Sequence, residues 1–172
     1  MKKILLLFIV FIIGSNLYSQ PPVKIIAFEQ ESLPGAKPAG VTDENGNRVK
    51  KAAAKKNYFI FLSFKKTHNI TPAQVFIRGK AFAIRSKTLK KTPVEYANNT
   101  VVNNPEKITL VPFTNNKVLG VDIAEISRQE KKPNSIQKLV DKNDVVISYV
   151  WNKKTYFVSL QKIKRLEPAA NE

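Results

Sequence analysis

From Tyr58 to Phe64 the chain reads Tyr-Phe-Ile-Phe-Leu-Ser-Phe, apolar at every position except Ser63. Successive side chains of a strand point to opposite faces, so the run predicts a central strand covered on both sides. Val75-Phe76-Ile77 and Ala81-Phe82-Ala83-Ile84 flank Arg78-Gly79-Lys80, the pattern of a hairpin with Gly79 supplying the turn. Further strands are expected at Val23 to Phe28, Val94 to Tyr96, Ile108 to Phe113 and Val118 to Ile123. Several are separated by the turn-forming Asn98-Asn99, Asn103-Asn104-Pro105 and Asn115-Asn116. One short helix is predicted after Pro133-Asn134-Ser135, where Ile136, Leu139 and Val140 fall at i, i+3 and i+4 before Asp141 to Asp144 ends the run. Val145 to Trp151 and Thr155 to Ile163 form a last hairpin across Asn152-Lys153-Lys154. Turns at such regular spacing point to a mainly β fold, an antiparallel β-sandwich or barrel-like domain with one short helix.

The two hairpins resemble each other at one constant offset. Lys80, Phe82, Ile84, Leu89 and Lys90-Lys91 match Lys154, Tyr156, Val158, Ile163 and Lys164-Arg165. In both, the apolar positions change from even to odd numbering after Ile84 and Val158, so each strand is expected to bulge or end there. A duplicated hairpin explains the match, and so does chance similarity between basic, strand-rich segments.

The N-terminus carries a different pattern. Met1-Lys2-Lys3 is followed by ten apolar residues, Ile4 to Ile13, and then Gly14-Ser15. This is the layout of a secretory signal peptide; a spanning helix needs roughly 20 apolar residues. Cleavage is expected after Ser19, leaving Gln20 as the new terminus. The parts are then a signal peptide at 1–19, an N-terminal extension at 20–56 with a first strand and a turn-and-basic segment, a β-rich domain at 57–166 and a tail at 167–172. The order MKKILLLFIVFIIGSNLYSQ resembles the leaders of small exported envelope proteins of the Bacteroidota. That resemblance implies a Gram-negative envelope, with the mature chain in the periplasm, associated with the outer membrane, or outside the cell.

Composition narrows the chemistry. The 172 residues hold 29 Lys and Arg against 13 Asp and Glu, a formal charge of +16, with one His and no Cys. Without cysteine there is no disulfide framework, no thiolate metal site and no cysteine nucleophile. His68 sits in the loop Lys66 to Pro72 with no G-x-S-x-G turn near it, which reads as a loop histidine rather than a catalytic base. A lone histidine does not close a histidine-based zinc site, and no phosphate-binding glycine loop occurs. The carboxylate pairs Asp122 with Glu125 and Asp141 with Asp144 fall at expected element ends, where acids are common. Asp43-Glu44-Asn45-Gly46-Asn47 offers alternate oxygens, but Arg48 and Ala54 stand where an EF-hand loop needs Gly and Glu, leaving a plain turn. Leu33-Pro34-Gly35-Ala36 with Gly40 to Asn47 resembles phrases of carboxypeptidase-regulatory-like β-sandwich domains, which implies a turn of similar shape and a binding or scaffold role.

These residues point to no enzyme, cofactor or metal. Lysine doublets spread along the chain are the remaining signal. Arg48 to Lys56 is read as a short helix or a basic loop. The pairs at the two hairpin ends, Lys90-Lys91 and Lys164-Arg165, are the candidate anion- or partner-binding residues. No nucleic-acid motif accompanies the charge. The expected function is an exported, non-enzymatic interaction or assembly module of the envelope. The alternative is a binder of an anionic glycan or lipid such as lipopolysaccharide.

Overall fold

A computed structural model describes residues 20–33, 55–97, 107–126 and 134–170. The leader at 1–19, the turn and basic stretch at 34–54, the asparagine-rich segment at 98–106 and Lys131-Lys132 lie outside the described residues. The strands are β1 Lys24–Leu33, β2 Lys55–Phe64, β3 Thr71–Ile77, β4 Lys80–Thr88, β5 Val94–Ala97, β6 Lys107–Val111, β7 Lys117–Ile126, β8 Val145–Trp151, β9 Lys154–Leu160, β10 Lys164–Arg165 and β11 Ala169–Ala170. One helix, α1 (Asn134–Lys142), precedes β8. The protein is mainly β, as the turn spacing predicts.

One curled sheet runs β10-β1-β2-β7-β4-β3-β8-β9, with β11 also on β1, while β5 and β6 form a separate ribbon. All neighbours are antiparallel except β10 and β11, which run parallel to β1. The segment read as an N-terminal extension thus contributes a strand bonded to β2 from Lys24↔Ser63 to Ser32↔Lys55. The sheet curls until β9 comes close to β1. Ile25 and Ala27 of β1 consequently share one buried cluster with Ile60, Leu62 and Phe64 of β2, Leu119 and Val121 of β7, and Val145, Ile147 and Tyr149 of β8. The inside of this half-barrel is filled by its own side chains.

The outer face explains why β2 is apolar on both sides. Phe61 and Phe59 point away from the interior and, with Phe28 and Val118, are covered by Val94, Tyr96, Leu110 and Val111 of the β5–β6 ribbon. A second outer cluster joins Phe76, Ala81 and Val146 to Ile136 and Val140 of α1. The helix is therefore amphipathic at the predicted positions because only one stripe meets the sheet. Asn143 Nδ2 closes its end by donating to the Leu139 carbonyl at 2.7 Å. Strand β6 stops at Val111 rather than Phe113; Pro112 has no N–H to extend the ladder.

The hairpin correspondence is exact in register. Ile77↔Lys80 and Val75↔Phe82 in one match Trp151↔Lys154 and Tyr149↔Tyr156 in the other. Both use two-residue turns at positive φ, Arg78 (45°) and Gly79 (83°) against Asn152 (48°) and Lys153 (62°). The hairpins pack back to back through β3 and β8, and Gln74 pairs with Ser148, 74 residues away, at the centre of the match. β9 ends two residues past Val158, at Leu160, whereas β4 runs on from Ile84 to Thr88, the register shift at Ala83/Ile84 placing its extra residue on β7 between Ile123 and Glu125. Beyond that point the two paths part: Leu89 packs on the outer cluster under β5–β6, whereas Ile163 is buried inside.

Candidate functional site

The residues weighed for catalysis are scattered over the sheet and its ends. His68 lies half-buried against Trp151, ring centroids 5.6 Å apart, in an aromatic group continued by Tyr156 and Tyr149. Its Nδ1 is buried without a hydrogen-bond partner. Asp122 is exposed opposite Arg85, and the Glu125 side chain lies outside the described residues. Asp141 accepts a bond from Gln137 at 2.7 Å, and Asp144 Oδ2 accepts one from the Ile163 backbone N–H at 3.0 Å. Asp141 and Asp144 edge an open depression of about 380 Å³ that also touches Arg78, Lys142 and Gln161. Among the described residues no group of three or more His, Asp or Glu side chains is arranged to hold a metal ion.

An ion network at this lower end was not foreseen. Glu29 lies on the inward side of β1 in series with Ile25 and Ala27, and is only 3% exposed. Its Oε1 accepts bonds from Arg78 Nη2 at 2.9 Å and Arg165 Nε at 3.0 Å. Arg78 Nη1 stands 2.7 Å from Oε2, an ionic contact out of line for a hydrogen bond. The hydrogen bond from Arg78 is the main reason the Glu29 carboxyl is held below its ordinary 4.5, against the opposing effect of burial. Arg78 also reaches Asp144 at 3.6 Å, and its backbone N–H donates to the Asp144 carbonyl. The β3–β4 turn is thereby latched to β1, across the gap that the curled sheet leaves. The signal in the sequence was an acid at an inward-parity position of a strand.

The four candidate basic residues fall in two places. Lys164 and Arg165 form β10 beside Phe28 and Glu29 of β1. Arg165 serves the latch, and Lys164 Nζ lies 5.8 Å from the Phe28 ring centroid. Lys90 and Lys91 are exposed in the bend after β4, at the opposite end of the sheet.

That upper end is defined by the strand registers. Phe64 ends β2 opposite Lys117 at the start of β7; Thr88 ends β4 opposite Leu119; Thr71 opens β3 opposite Val150; and Lys24 opens β1 opposite Ser63. Loops 65–70, 89–93 and 112–116 and the turn at 152–153 therefore emerge together with residues 20–23. Every charged side chain in these segments and at their strand junctions is a lysine: Lys24, Lys65 and Lys66, then Lys90 and Lys91, then Lys117, Lys153 and Lys154. Of the described acids, Glu29, Glu31, Asp141, Asp144 and Glu167 belong to the other end, Asp122 lies mid-strand in β7, and Glu95 is the second residue of β5, just past the 89–93 loop. Thr92 Oγ1 donates to the Thr114 carbonyl at 3.3 Å and accepts from its N–H at 3.2 Å, which ties the Lys90-Lys91 bend to the loop carrying Phe113. Phe113 is 73% exposed and Val150, also near this end, is 38% exposed.

The chain enters the sheet here. Gln20 Nε2 donates to the Tyr149 hydroxyl at 3.0 Å and to the Phe157 carbonyl at 2.8 Å. Burial pushes the Tyr149 hydroxyl above its ordinary 10.0, the bond from Gln20 working the other way. No helix among the described residues is long and apolar enough to cross a membrane. Comparisons with protein families, with curated proteins and with solved structures find no match.

Proposed function

We propose that this is an exported, non-enzymatic protein of a Gram-negative envelope, periplasmic or associated with the outer membrane, that works as an interaction or assembly module. The observation that carries the reading is the gathering of like charge: a self-filled β scaffold presents lysine-only loops at one end, while most of its described acids lie at the other, interspersed with basic residues. A scaffold of this kind holds loops rigidly without using its interior for a ligand. The lysine-bearing end also favours the narrower reading of an anionic partner, a lipid or a charged glycan, because like-signed loops in one surface attract a polyanion more strongly than the same charges dispersed.

Export is tested by mass spectrometry of the envelope fraction. The protein should begin at Gln20; an intact Met1 contradicts it. The partner is tested by crosslinking in the native envelope, with adducts identified by mass spectrometry at low and raised salt. Adducts that vanish with salt indicate an anionic partner held by the lysines, and adducts that persist indicate an interface with an apolar centre. Absence of any specific adduct contradicts the module reading.

A further inference from the structure

Three features of the upper end go beyond a general preference for anions. The first is Phe113, a large apolar side chain displayed to solvent at 73% exposure on a loop pinned by Thr92. The second is its neighbours along the chain and across the Thr92–Thr114 bonds: Lys90 and Lys91 on the bonded bend, and half-buried Lys117, its Nζ 6.0 Å from the Phe64 ring centroid, where the loop returns to β7. An exposed aromatic ring within a field of lysines matches the boundary between lipid head groups and acyl chains, where the ring is buried and the ammonium groups meet phosphates. A soluble glycan offers the ring a sugar face to stack on but no acyl layer to bury it in. The third is where the chain comes from. Residues Ile4 to Ile13 are apolar, and only residues 14–19 separate them from Gln20, which is anchored to Tyr149 at this same end. Six residues reach at most roughly 20 Å even when fully extended. Before processing, this end therefore lies closest to the bilayer in which the leader is held.

We infer that the upper end is a bilayer-docking surface for anionic phospholipid, with Phe113 entering the interface and Lys90, Lys91 and Lys117 pairing with phosphates. The inference rests on the reading of an exported module with an anionic partner and names that partner. Docking fixes orientation: the latched end, with the open depression beside α1, faces away from the membrane.

The test uses the processed protein and phosphatidylcholine vesicles with and without phosphatidylglycerol. Flotation should recover the protein only with phosphatidylglycerol present, and raised salt should release it. Each lysine near an anionic surface contributes about fivefold in affinity, so Lys90→Gln with Lys91→Gln should weaken binding roughly 25-fold. Phe113→Ser should weaken it about tenfold without lowering the melting temperature, because the ring is exposed in the free protein. Lys138→Gln with Lys142→Gln on α1 removes the same charge from the opposite end and should cost little. Trp151 is the chain's one tryptophan. With Trp151→Phe, a Phe113→Trp reporter should shift its emission to the blue on anionic vesicles only.

Equal losses from the upper and α1 pairs would overturn the docking surface and leave a simple net-charge effect. Binding that ignores Phe113→Ser, or a reporter that does not shift, would overturn insertion. If vesicles fail to bind while heparin, as a soluble anionic glycan, binds through Lys90 and Lys91, the lipid assignment is wrong but the anionic-partner reading stands. If neither binds and envelope crosslinking still captures a salt-resistant protein adduct, the module reading alone survives.

Discussion

Neutralising Glu29 should open the latch that holds the curled sheet together at its lower end. In Glu29→Gln the side chain keeps its shape, but Arg78 and Arg165 lose the carboxylate they share, at 2.9 and 3.0 Å. Breaking a fully buried ion pair costs about 3–5 kcal/mol. Here Glu29 is 3% exposed while Arg78 keeps 36% of its side chain in water and retains Asp144 at 3.6 Å. The expected loss is therefore smaller, about 2–3 kcal/mol, which for a chain of this size lowers the melting temperature by roughly 5–10 °C. Arg165 is 80% exposed, so Arg165→Gln should cost about 0.5 kcal/mol or less. Arg78→Gln leaves Glu29 with one exposed partner and should cost at least as much as Glu29→Gln. The double variant should recover part of the sum, with a coupling of about 1–3 kcal/mol. The pH dependence has a fixed sign. Because the folded-state value of Glu29 lies below its ordinary 4.5, its contribution is complete above that pH and is lost as pH falls through the lowered value. Urea melts of wild type and Glu29→Gln should differ most at neutral pH and converge in acid. A neutral-pH difference within about 0.5 kcal/mol, or a gap unchanged in acid, would refute the latch.

Other expectations follow from the same packing. Leu62 is fully buried between Ile25 and Leu119, and Leu62→Ala should cost about 3–5 kcal/mol in a denaturant melt because the bonded neighbouring strands cannot close the cavity. Lys153 sits at φ 62° in a turn whose counterpart has glycine, so Lys153→Gly should stabilise by about 0.5–1 kcal/mol while lowering affinity for polyanions. Tyr149 should ionise above the ordinary 10.0 in an ultraviolet titration. Stability linked to it is intact below that pH and falls as pH rises through the raised value, and Tyr149→Phe should remove this alkaline loss.

Much of the scaffold was legible because it follows from period-two and helical patterning. The two-faced β2, both hairpins and the α1 stripe stand at the positions their apolar residues indicate. The sequence reading of β1 ends at Phe28, because Glu29-Gln30-Glu31-Ser32 looks like solvent-facing chain. The strand instead continues to Leu33, since those polar groups find partners: Tyr96 donates to Gln30 at 2.8 Å, Asn57 to Ser32 at 2.9 Å, and Arg78 to Glu29. Strands β10 and β11 carry two residues each, too few for any alternation to appear. The lysine doublets were visible, but their sorting was not. Lys90-Lys91 and Lys164-Arg165 look alike in sequence; one pair emerges in a free bend and the other is built onto β1, because the chain leaves the two hairpins in different directions. That the lysine-only loops gather at one end appears only once the strand order is known.

The claim that the lysine-bearing end is the contact surface is tested most directly by placing a photo-crosslinking side chain at Lys91 and, separately, at Lys138 on the exposed side of α1, then irradiating intact cells that export the protein. Adducts to envelope components should form from position 91 and be weakened by Lys90→Gln, while position 138 gives none. Adducts from position 138 with none from position 91 would contradict the account.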